Sequence, residues 1–440
     1  MDDRQQIQQE KREARRKRRV RNQVTAYAVL ILLITAFAVL IVLGVNRLTA
    51  GRRAAEEEQQ SSQAMLEDML ATEEEIQEPE PSQEPVQELT PEQKLDEIVN
   101  AAIEVMPLED KVAGLFIVTP ESITGVSTAI KAGEGTQQAL AKYAVGGIIY
   151  SAKNIQSEEQ LKEMLDNTEL YTKYPIFLAV TEEGGTVSTV ANAGIGTKTD
   201  SAGTLGQTGD TAAAYQAGAT IGTTLSGLGF NLNFGPVADI VTAENSFLGD
   251  RSFGSDAQLA GSMAASVVQG LQSQGVASCV KYFPGQGSTS EDPEEGLSDT
   301  DRTEEEFRGQ EFVAFQAVID GGADMIMVSN MAAPALTGDN EPCIFSEKLI
   351  TDILRGELGF DGVIISGALD MTAISDYHGA EDAAIQALKA GCDMLLMPED
   401  FESAYNGVLQ AVQDGVISEA RIDDALRRIY RIKYADRIQE

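Results

Sequence analysis

The sequence predicts an α/β protein built around a (β/α)8 (TIM) barrel, preceded by one transmembrane helix and an acidic stalk. Three observations lead there. Eight short, nearly continuous apolar runs recur between residues 95 and 440. Amphipathic stretches separate them, the texture of a parallel sheet covered on both faces. No Gly-x-Gly-x-x-Gly follows the first run, which weakens an open, dinucleotide-binding sheet in favour of a closed barrel.

Taken in order, the predicted strands are GLFIV (114–118), GGIIY (146–150), IFLAV (176–180), FNLNFGPV (230–237), ASCVKYF (277–283), DMIMVS (324–329), GVIIS (362–366) and DMLLMP (393–398). SEEQLKEMLDNTELYTKY, TEEEFRGQEFVAFQAVIDGG and SEKLITDILRGELG read as helices between them, and SEARIDDALRRIYRIKYA closes the outer ring. Chemistry in such a barrel sits where strands end and the following loops begin.

Ahead of the barrel the sequence divides into three segments. Residues 1–22 form a basic tail with Lys11, Arg12, Arg15, Arg16, Lys17, Arg18, Arg19 and Arg21 close together. Residues 23–46 contain Val24–Val45, an uncharged run of the length needed to cross a bilayer. A cleaved signal peptide would have a shorter apolar core followed by a small-residue cleavage site. Dense positive charge before the span and only Arg47, Arg52 and Arg53 after it predict a cytoplasmic N-terminus, with the remainder outside the membrane. Residues 47–94, rich in Glu, Gln, Ser and Pro, are expected to form an unfolded stalk, because they offer too little apolar surface to offset the entropy of ordering. Residues 95–440 are the predicted barrel.

Composition narrows the chemistry. A formal charge of −36 argues against nucleic acid as a partner of the main domain, since phosphate binding needs a basic face. Three cysteines, Cys279, Cys343 and Cys392, form neither a disulfide framework nor a metal-ligand spacing. With His378 the single histidine, a His-based zinc site or a Ser-His-Asp triad is disfavoured.

The strand ends carry the rest. They read Thr-Glu-Glu-Gly-Gly-Thr-Val (181–187), Asn-Phe-Gly-Pro-Val-Ala-Asp (233–239) with Asp-Arg-Ser-Phe-Gly (250–254), Lys-Tyr-Phe-Pro-Gly-Gln-Gly-Ser-Thr (281–289), Val-Ser-Asn-Met (328–331) and Gly-Phe-Asp-Gly-Val-Ile-Ile-Ser-Gly-Ala-Leu-Asp-Met (359–371). Together and in this order they resemble glycoside hydrolase family 3, in its β-N-acetylhexosaminidase branch, over about residues 95–435. The resemblance implies an enzyme that releases terminal N-acetylglucosamine, including from cell-wall fragments, with side chains alone and no metal or organic cofactor.

Measured against that pattern, the catalytic positions are changed. A retaining glycosidase needs a carboxylate nucleophile and a proton donor flanking the glycosidic bond. The family places its nucleophile directly after the seventh-strand Ser/Thr, where this chain has Gly367. Its donor His on the fifth-strand loop is replaced by Glu294, while the Asp two residues earlier is kept as Asp292. Other sugar-contacting places are occupied by Thr181, Thr186, Tyr282 and Asn330; Glu183, Arg251, Lys281 and Met371 match the family. Arg251 and Lys281 can donate to sugar hydroxyls or can equally brace their loops. Asp370, three residues after Gly367, is the candidate replacement carboxylate.

The expectation is therefore a membrane-anchored, extracytoplasmic barrel that has lost hydrolysis and binds a cell-wall glycan, a peptidoglycan fragment or an envelope partner. The alternative is a working β-N-acetylhexosaminidase with relocated carboxylates, Glu294 or Asp292 acting with Asp370. A scaffold without sugar affinity is the third.

Overall fold

A computed structural model of the protein describes residues 89–435, except 244, 245 and 293. The basic tail, the predicted Val24–Val45 span and nearly all of the stalk lie outside the described residues. Among the described residues no helix is long and apolar enough to cross a membrane.

The described residues form ten strands: β1 (Phe116–Val118), β2 (Gly147–Ile149), β3 (Phe177–Val180), β4 (Glu182–Gly184), β5 (Val187–Ser188), β6 (Leu232–Asn233), β7 (Ala277–Phe283), β8 (Met325–Val328), β9 (Val363–Ala368) and β10 (Met394–Leu396). Eight of them close a barrel in the order β1-β10-β9-β8-β7-β6-β3-β2, every pair parallel. Seven of the barrel strands fall inside one of the eight apolar runs, and β9 continues two residues past its run, through Gly367 to Ala368. Residues of β1, β3, β8, β9 and β10 are buried throughout, because the barrel interior takes one set of side chains and the ring of helices covers the other.

Three local features depart from the sequence pattern. The first helix runs from Pro91 to Glu104, so it starts four residues inside the segment assigned to the stalk. Thr90 caps it: its side chain accepts from the Gln93 amide while the Gln93 side chain accepts from the Thr90 amide. Leu95, Val99 and Ile103 supply the buried stripe. The stretch read as one helix over 303–322 is two, Glu304–Gly309 and Glu311–Asp320, hinged at Gln310 beside a weak helix former, Gly309. Past the hinge, Phe312 and Phe315 lie 5.5 and 5.2 Å from the Phe283 ring at the end of β7. Lys348–Glu357 is wound as a π-helix, a wide form that turns Leu349, Ile350, Ile353 and Leu354 inward.

The strand starts, at the base of the barrel, are pinned by one buried acid. Asp393, just before β10, accepts from Arg355 at 2.7 Å and from Arg421 and Arg428 at 3.3 Å, while Arg421 also donates to the Cys392 carbonyl at 2.6 Å. This ties the π-helix and the last helix, Glu419–Lys433, to the same strand. The opposite end, where strands finish, is left for the loops with the unusual residues.

Candidate active site

The mouth is assembled from the ends of β3, β6, β7, β8 and β9. After β3 the chain makes a tight hairpin, β4–β5, where the sequence pattern shows only a strand end. Its turn needs Gly184 and Gly185, whose φ values of 90° and 57° lie in the left-handed region that side chains disfavour. The hairpin is fixed from below: the Glu182 amide donates to Asn233 Oδ1 and Asn233 Nδ2 donates back to the Glu182 carbonyl, both at 2.9 Å. The buried Glu182 carboxylate accepts from the Val190 amide at 2.7 Å.

This clamp holds Glu183 facing two cations. Arg251 Nε donates to Oε2 and Arg251 Nη2 to Oε1, both at 2.8 Å, in a fork-to-fork pair. Lys281 Nζ, from β7, lies 2.6 Å from the same Oε1, and both side chains of that pair are 4% exposed. Arg251 Nη2 also donates to the Tyr282 hydroxyl at 2.7 Å. Burial alone would hinder ionisation of Glu183, but Lys281 and Arg251 outweigh it and hold the carboxyl below its ordinary value. Burial likewise opposes the charge on Lys281, and Glu183 outweighs it, raising the amine.

Asp239, in the loop after β6, anchors this end of β7. It is buried and accepts from the Tyr282 amide at 3.0 Å and the Gln286 amide at 3.1 Å. Burial pushes its carboxyl up to about 7 against those two donors. In the sequence the only signal of Asp239 is an acid inside an otherwise apolar run.

Gly367 lies in β9 and is wholly enclosed. Beside it, Asn330 Nδ2 donates to the Ala368 carbonyl at 2.7 Å and approaches Met371 Sδ at 3.4 Å, so Asn330 and Met371 form one group with Gly367. Asp292 and Glu294 are elsewhere in kind: Asp292 Oδ1 accepts from the Glu294 amide at 2.9 Å, a turn-forming contact, and Glu294 is exposed. Asp370 follows β9 at the surface of the mouth. Desolvation there, followed by the negative charges of Glu294 and Glu399, pushes its carboxyl up to about 6. Glu399, after β10, carries no distinguishing signal in the sequence; only closure of the barrel places it near Asp370.

The residues singled out from sequence therefore fall into three groups. Glu183, Arg251, Lys281 and Tyr282 meet in one hydrogen-bonded cluster. Gly367, Asn330 and Met371 meet in a second. Asp292, Glu294 and Asp370 belong to the acidic rim. In the first cluster Arg251 and Lys281 both pair with Glu183 of the hairpin. The rim carries carboxyl groups, whereas Gly367 carries no side chain.

Comparison with known proteins points one way. Residues 107–432 match the family model described as the glycosyl hydrolase family 3 N-terminal domain. A β-hexosaminidase of Nitrosomonas eutropha is 34% identical over 266 residues, covering 59% of this chain and 75% of that protein. β-Hexosaminidase A of Pseudoalteromonas piscicida is 30% identical over 324 residues, covering 67% of this chain and 54% of that protein. The solved structure of a family 3 β-N-acetylglucosaminidase from Paenibacillus superposes with a TM-score of 0.71 at 32% identity, covering 76% of this chain and 64% of that one. The chain thus spans less than two thirds of the latter two relatives.

Proposed function

Because the chain belongs to glycosyl hydrolase family 3, we propose that its barrel is a member of the β-hexosaminidase type that binds a cell-wall glycan or peptidoglycan fragment without hydrolysing it. The observation that carries this reading is Gly367, an enclosed residue without a side chain at the place of the nucleophile. Without a carboxylate there, no covalent glycosyl intermediate can form. Glu294, at the donor position, is exposed rather than enclosed, whereas a reacting carboxyl must be held closely in place. Retention of Glu183, Arg251 and Lys281 as an ordered cluster supports a mouth still shaped for a polar ligand. The Val24–Val45 run and its basic flank support display of the barrel outside a membrane on the acidic stalk.

One observation favours a second reading. Asp370, with its carboxyl pushed up to about 6 by desolvation and by Glu294 and Glu399, has the character of a general acid. Inverting attack needs no carboxylate nucleophile, only an activated water and two carboxyls spaced about 6.5–9.5 Å apart.

Hydrolysis of an artificial β-N-acetylglucosaminide by the purified protein decides between them. The rate is expected to equal background, since loss of a nucleophile costs several orders of magnitude that binding energy does not restore. Turnover that disappears in Asp370→Asn or Glu294→Gln would establish the hydrolase instead. Binding of soluble cell-wall glycan by the natural chain separates the binding reading from that of a scaffold.

A further inference from the structure

Asn330 ends 2% exposed, with its amide nitrogen committed to the Ala368 carbonyl and its Oδ1 without a hydrogen-bond partner. That commitment sets the orientation of the amide, because turning it over would place two carbonyl oxygens face to face. The arrangement puts the whole amide against Gly367. A Cβ added at 367 would stand 2.3 Å from Asn330 Oδ1, 2.7 Å from Cγ and 3.0 Å from Nδ2. Three atoms of a single buried side chain therefore occupy the volume that any side chain at 367 would enter. Leaving a buried carbonyl oxygen unpaired is itself unfavourable, by an amount comparable to a lost hydrogen bond. Such an arrangement persists where the surrounding packing holds it.

We infer that Asn330 and Gly367 act as one unit, in which the Asn330 amide closes the nucleophile niche and Gly367 is the residue that accommodates it. The inference rests on the non-hydrolysing reading above and goes beyond it. Hydrolysis is barred twice, by the absence of a nucleophile and by a filled place where one would stand. Restoring the carboxylate alone does not reopen the site, because the Asn330 amide occupies the space beside Gly367.

A four-membered cycle of full-length proteins tests this: the natural chain, Gly367→Ala, Asn330→Ala and the double variant, each followed by thermal melting. Gly367→Ala should lower Tm by about 2–6 °C, the effect of forcing a methyl group into a packed interior. In the double variant at least half of that loss should be recovered relative to Asn330→Ala. A Gly367→Ala protein that melts with the natural chain, or losses that simply add, would overturn the inference.

A chemical readout accompanies it, using Gly367→Asp with and without Asn330→Ala. The probe is an N-acetylglucosaminyl fluoride bearing a second fluorine at C5. The new carboxylate attacks the anomeric carbon, the C–F bond breaks, and fluoride leaves with the bonding pair. The remaining fluorine slows hydrolysis of the resulting ester, and fluoride needs no proton donor to depart. Intact-mass measurement should show at least tenfold more adduct on the double variant than on Gly367→Asp alone. Equal labelling of the two, including none on either, counts against the inference. Hydrolysis by the natural chain would remove the non-hydrolysing reading, while the melting cycle still judges the Asn330–Gly367 coupling on its own.

Discussion

At the scale of single residues, Glu183 governs the mouth because two buried or half-buried cations depend on it. Arg251 and Lys281 both make their ion pairs with its carboxylate, with side-chain exposures of 20% and 4%. Taking the acid away leaves two positive charges in a poorly solvated place, which typically costs about 3–5 kcal/mol when one partner of a buried pair is removed. Glu183→Gln is therefore expected to lower stability by that order in urea unfolding at neutral pH. The folded-state carboxyl is held below its ordinary value of 4.5. The contribution is thus fully present above that value and lost as pH falls through the lower folded value. The gap between the natural chain and Glu183→Gln should close in acid; a gap unchanged down to pH 2 would refute the ion-pair account. These partners were legible as candidates, since Glu183, Arg251 and Lys281 stand out in motif-like strand ends. Their mutual contact was not, because they lie up to 98 residues apart in the chain.

At the scale of elements, the apolar runs located the strands because a parallel strand buried on both faces cannot be polar on either. Helices were less legible. The hinge at Gln310 follows from how Phe312 and Phe315 reach Phe283, a contact between distant parts of the chain. The β4–β5 hairpin was hidden because its strands hold three and two residues, too few to show a period. The brace at the barrel base also appears only at this level. Asp393 serves three arginines from two helices, so the acid and any one base are not equivalent. Asp393→Asn strands three guanidinium groups and should cost about 3–5 kcal/mol. Arg428→Ala leaves two partners in place and should cost less than half as much. Chemical unfolding of both variants checks the asymmetry; equal losses would mean that the brace works through individual pairs.

At the scale of the whole molecule, the proposed arrangement is a barrel outside the membrane behind a basic cytoplasmic tail. Its support is the uncharged Val24–Val45 run, with nine basic residues among the first 22 and three shortly after it. Protease added to intact cells should remove the barrel and spare the tail, read with antibodies to each part. A barrel protected until the cells are opened would refute the topology, as would a soluble protein with a new N-terminus after the apolar run.

The barrel, the order of its strands and the family were already present in the amino-acid sequence, because each depends on local apolar periodicity or on short motifs at strand ends. The sequence also determined that Gly367 cannot be a nucleophile, since glycine carries no reactive group. Only the tertiary structure decided that Arg251 and Lys281 brace Glu183, that Asp370 is crowded by Glu294 and Glu399, and that Asn330 fills the space beside Gly367. Those facts arise from closing the barrel, which brings the ends of non-adjacent segments within hydrogen-bonding distance and leaves each buried polar atom to the partners that packing supplies.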